Sequence, residues 1–126
     1  MFSHMTVGSN DIERSRTFYD ALFTAVGGKP GFDDPYGRVV YVHKGASFLV
    51  TKPIDGAAAT AGNGSTFGFA VDGPDQAKAW HDAGVAAGGT AIEDDPGIRS
   101  SAFGDMYLAY LRDPDGNKLC ALHRIA

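Results

Sequence analysis

Cysteine and clustered positive charge are what this sequence most lacks. Cys120 stands alone in 126 residues, so no internal disulfide can form, which fits a reducing cytoplasm. The 11 Lys and Arg are outnumbered by 15 Asp and Glu, and they are scattered along the chain. A formal charge of −4 with no basic cluster excludes neutralising a run of phosphates, so no nucleic-acid partner is expected. No apolar run approaches bilayer length, so no membrane partner is expected either. The N-terminus has no basic region leading into a long apolar segment, and secretion is not expected. Low-complexity tracts are missing as well: the 17 glycines are spread over turns and candidate helix ends. The length suits one domain with one core.

What the chain does contain is an internal repeat. SNDIERSRTFYDA, residues 9–21, aligns with VDGPDQAKAWHDA, residues 71–83, at an offset of 62. Asn10 with Glu13 falls on Asp72 with Asp75, each pair reading as an N-cap followed by an acid three residues later. Both helical patterns close on a double glycine, Gly27-Gly28 and Gly88-Gly89. Trp80, matching Phe18, is predicted to be core, and His81, matching Tyr19, to be surface.

A strand precedes each helix. Residues 2–7 alternate, with Phe2, His4 and Thr6 on one face and Ser3, Met5 and Val7 on the other. Residues 66–71 alternate with Phe67, Phe69 and Val71 against Thr66, Gly68 and Ala70. The apolar face packs under the following helix, so His4 and Thr66 are predicted to point away from it. Shorter strands follow at 38–43 and 46–51, joined by the tight turn Lys44-Gly45, and at 106–111 and 118–123, joined across Asp-Pro-Asp-Gly. A further strand is expected near 31–32 and near 90–93. The chain thus divides into a unit over 1–54, a linker over 55–65 and a second unit over 66–126.

Three stretches in this order carry a resemblance: His4 followed by DIERSRTFY, then TFGFAVDGPDQAKAW, then YLRDPDGNKLCAL. Together they resemble the vicinal oxygen chelate superfamily, which includes glyoxalase I, extradiol dioxygenases, fosfomycin resistance proteins and bleomycin resistance proteins. The stretch PGIRSSAFGDMYLAYLRDPDGN further resembles small glyoxalase-like members. The resemblance implies an α+β fold of two βαβββ modules whose curled mixed sheet encloses a cavity. It also implies a homodimer, and in metal-dependent members a divalent cation held by inward His and Glu side chains.

Mapped by that resemblance, the four usual ligand positions fall on His4, Leu49, Thr66 and Cys120. Leu49 cannot ligate, and a neutral Thr66 hydroxyl is a poor ligand for Zn, Ni or Fe. His4 and Cys120 leave a catalytic site one ligand short, unless His43, Glu93 or Asp105 supplies it. His4 is then a metal ligand, a hydrogen-bonded pocket residue, or a metal-free acid, base or anchor. Cys120, mid-strand between Leu119 and Ala121, is either a small buried residue or a nucleophile paired with His4 across the cavity.

Other residues join the candidate ligand site. Arg99 is expected either to grip an anion bidentately or to tie a loop to a carboxylate. Tyr41, Tyr107 and Tyr110 are candidate pocket hydroxyls or packing residues. The leading expectation is a cytoplasmic protein binding or converting a small molecule with its metal set largely lost and no cofactor. The alternatives are a metal-dependent lyase or dioxygenase using His4 and Cys120, with Zn, Ni, Fe or Mn, and a structural or interaction protein without a ligand.

Overall fold

The structure, a computed structural model, describes residues 1–125. Its first unit runs β1 (His4–Gly8), α1 (Ile12–Ala25), β2 (Phe32–Asp33), β3 (Val39–His43) and β4 (Ala46–Thr51). The second runs β5 (Phe67–Ala70), α2 (Pro74–Ala86), β6 (Thr90–Ala91), β7 (Gly97–Ser101), β8 (Gly104–Arg112) and β9 (Lys118–Arg124). The sheets have the orders β1-β4-β3-β2 and β5-β9-β8-β6, with β7 also on β8, and they do not join into a closed barrel. The first strand of each unit pairs in parallel with the last, and the other pairings are antiparallel. The repeat therefore folds as two copies of one topology, the second with β7 added. β1 and β5 are each left with a free edge.

The alternation in sequence sets the faces. Met5 and Val7 meet the core while His4 and Thr6 do not, and Phe67, Phe69 and Val71 do so in the second unit. Phe18, Tyr19 and Leu22 from α1 and Ala77 and Trp80 from α2 close one core shared by both units. Trp80 is core as predicted, but His81 is half-buried and donates from Nε2 to the Tyr110 carbonyl at 3.1 Å.

Both helices end at the predicted glycines. Gly27 and Gly88 take φ of +82° and +108°, the left-handed region in which only glycine is unstrained. The starts differ by one residue. Asp11 caps α1, accepting from the Arg14 amide at 3.1 Å, and Gly73 caps α2 without a side-chain bond, followed by Pro74. Asn10 is diverted from capping because its side chain brackets Ala59 of the linker, accepting at 2.7 Å and donating at 3.0 Å. Lys44 and Gly45 both have positive φ, as a two-residue hairpin turn requires.

The Asp113–Asn117 turn does more than reverse the chain. Buried Asp113 accepts from the Tyr19 hydroxyl at 2.6 Å and from Asn117 Nδ2 at 2.8 Å, and Asp115 accepts from Arg14, Ser15 and the Asn10 amide. The turn of the second unit is thereby clasped to the first helix, with every buried polar side-chain atom among the described residues satisfied.

Candidate functional site

One face each of β1 and β5 is turned to the core, and the free edges of both border an opening. This open cleft, about 300 Å³, is lined by β1, the β3–β4 turn, the start of β4 and all of β5. Phe23, Phe48 and Phe69 form its inner end as a triangle of rings with centroids 5.5 to 6.0 Å apart. Phe67 and Phe2 continue the aromatic lining outward, Phe2 being 70% exposed. Small residues, Ala46, Ser47, Gly68 and Ala70, complete it. Nothing lies within 4 Å of where a Gly68 side chain would begin, so the β5 backbone is open to an occupant.

Polar groups sit among these aromatics. His4 lies on the exposed face of β1 and shares a 2.8 Å hydrogen bond between Nδ1 and Ser3 Oγ, which leaves Nε2 free. His43, half-buried, packs edge-on to Phe23 at 6.2 Å. Lys44 pairs with Asp72, whose carboxyl is held below its ordinary value chiefly by that hydrogen bond.

The remaining predicted residues lie elsewhere. Thr66 precedes β5 and lines a separate polar hollow with Ser65, Arg112 and Lys118, so the repeat's equivalent positions do not converge. Leu49 is buried opposite Thr6 and Val40. Cys120 is buried between Gly68 of β5 and Tyr110 of β8, and it does not line the cleft with His4. Burial pushes its thiol up, which disfavours the thiolate a nucleophile needs, although Tyr110, Lys118 and Arg99 act the other way.

The tyrosines divide by face. Tyr41 is core, and its hydroxyl donates to Asp20 at 2.7 Å, so it offers the cleft nothing; burial first, then Asp20, raises its phenol far above normal. Tyr107 packs against the same core. Tyr110 lies on the other face, with the Lys118 ammonium 5.0 Å above its ring, and burial raises its phenol. Arg99 donates to the carbonyls of Gly97, Leu108 and Asp94, where a carboxylate or free anion grip was expected. Its guanidinium is a brace for the loop before β7.

The chain belongs to the vicinal oxygen chelate superfamily. A family profile described as a glyoxalase-like domain matches residues 4–122. A glyoxalase/bleomycin resistance protein from Albidiferax ferrireducens T118 is 55% identical, with a TM-score of 0.95 over 98% of this chain and 99% of that one. Two more distant structures share the fold. A glyoxalase/bleomycin resistance protein/dioxygenase family enzyme from Burkholderia phytofirmans PsJN is 20% identical, with a TM-score of 0.74 over 98% of each chain. Lactoylglutathione lyase from Agrobacterium tumefaciens is 19% identical, with a TM-score of 0.66 over 97% of this chain and 92% of that one. A comparison with curated protein sequences finds no match.

Membership raises the question of a metal, and the residues present do not fit one. Among the described residues no three His, Cys, Asp or Glu side chains converge as a cation cradle requires. The third-ligand candidates are dispersed: Glu93 pairs with Lys118, Asp105 accepts from Ser100 at 2.8 Å, and His43 sits in the cleft. No helix among the described residues is long and apolar enough to cross a membrane.

The phenylalanine lining was missed in the sequence reading. Phe67 and Phe69 alternate as core residues do, and nothing local signals that two sheet edges leave them partly uncovered. Gly68 between them was the available signal, because glycine inside a strand marks weak packing or a close approach.

Proposed function

We propose that this protein holds a small organic molecule in the cleft between β1 and β5, without a metal, using His4 as an anchor. The observation that carries this reading is the combination of aromatic walls with an unobstructed Gly68 backbone. Pockets for small molecules are mostly apolar and aromatic with a few placed polar groups, and this cleft has that character at the lower end of their size range. The 55% identical protein is named a glyoxalase/bleomycin resistance protein, and holding a small molecule without converting it is the form of binding nearest to this geometry.

The metal-dependent lyase or dioxygenase reading is disfavoured because its donors do not converge. A thermal-shift screen of aromatic, thiol-conjugate and antibiotic ligands, run with excess EDTA, tests the proposal, since a ligand selective for the folded state raises the melting temperature. Hits in EDTA that vanish in Gly68→Leu support it. Hits abolished by EDTA overturn the metal-free part, and a screen without any hit favours a structural role. A homodimer is part of the same proposal, tested by light scattering for twice the 13.2 kDa chain mass.

A further inference from the structure

We propose that the cleft's ligand class is planar aromatic acids, the ring set among the phenylalanines and the carboxylate at the rim by Lys44, His4 and His43. This deepens the reading above and rests on it. Shape and charge lead to it separately.

The apolar part of the cleft is aromatic far more than aliphatic, with Met5 as the one long aliphatic side chain. Aromatic rings contact one another edge-on or offset, and the Phe23–Phe48–Phe69 triangle presents such surfaces at the buried end. Gly68, between Phe67 and Phe69 but turned to the opposite face of β5, leaves this free edge without a side chain to obstruct an occupant. A volume of about 300 Å³ suits a one- or two-ring compound rather than an extended chain.

Charge sets the polar end. No Asp or Glu lines the cleft, so a cationic ligand would find no counter-charge there. Hydrogen-bond donors are present instead. Lys44 has three N–H groups and spends one on Asp72, which does not itself line the cleft. His4 keeps Nε2 free, and the His43 ring makes no hydrogen bond among the described residues. β5 and α1 contribute only Phe67, Gly68, Phe69, Ala70 and Phe23 to the lining, none of them titratable. A carboxylate keeps most of its solvation at this half-open rim, and its desolvated ring goes inward.

The test is a set of NMR titrations near neutral pH on the full chain with naphthoate, naphthylmethanol and naphthylmethylamine, followed at the Phe67–Ala70 amides. Naphthoate is expected to shift these amides and to bind about tenfold or more tightly than the other two, the margin of charge-assisted hydrogen bonds. Lys44→Gln, at an exposed turn, should lower naphthoate to the level of the alcohol, and Gly68→Leu should abolish all binding while leaving the melting temperature within a few degrees. Equal or tighter binding of the alcohol or the amine overturns the ligand class and leaves the cleft reading standing. No shift at these amides with any of the three, or binding unchanged by Gly68→Leu, overturns the cleft itself.

Discussion

Asp113 shows how one side chain can connect distant parts of a chain. Its carboxylate accepts from Tyr19 on the first helix, 94 residues away, while also organising its own turn. Tyr19→Phe removes one donor from a buried carboxylate and is expected to cost about 1–3 kcal/mol, measured by urea unfolding; an unchanged midpoint would remove the clasp from the account. Asp-Pro-Asp-Gly is legible in sequence as a turn because turn chemistry is local, but its attachment to Tyr19, Ser15 and Arg14 is not, because only the fold brings them together. Cys120 makes the same point. Its strand position was readable, and its neighbours Gly68 and Tyr110 were not. With burial raising its thiol, Cys120 should alkylate slowly near neutral pH in the native protein and quickly once unfolded. Equal rates in the two states would restore the nucleophile reading.

At the level of elements, each double glycine divides its labour. Gly88 supplies the left-handed turn after α2, while a Cβ on Gly89 would sit 2.6 Å from Phe18 Cε1, 2.9 Å from the Gly84 carbonyl and 3.0 Å from the Arg112 carbonyl. Because two of those three neighbours are backbone, Gly89→Ala is expected to destabilise by about 1–3 kcal/mol. A neutral result in denaturant melts would show that the helix end has room to shift. Gly28 is likewise crowded, by the Phe23 carbonyl and by His43. The helix ends were legible because glycine is demanded there for a local reason. The first start slipped by one residue because Asn10 is bound to Ala59, and the second because the Asp72 carboxylate is taken by Lys44. GIRSS has little apolar alternation, and β7 forms there because Arg99 and the β8 edge hold it.

For the whole molecule, one core joins both units, so burial affects several titrating groups at once. Tyr19, Tyr41, Tyr110 and Cys120 are all raised, in each case chiefly by burial. Below the unfolded values, about 8.5 for a thiol and 10 for a phenol, both states keep these protons and stability does not depend on them. Above those values the unfolded chain loses protons first, so stability should fall as pH rises toward the folded values. Each buried phenol contributes up to about 1.4 kcal/mol per pH unit. Urea midpoints that stay level into the alkaline range would contradict this.

On this reading the His4 cleft receives an organic ligand and no cation. The most direct measurement is a crystal structure of protein purified without chelator, soaked with a screen hit and collected with anomalous data. Flat density among Phe48, Phe67 and Phe69 with no anomalous peak beside His4 is the predicted result. A peak there, bound by His4 and further protein side chains, would contradict it.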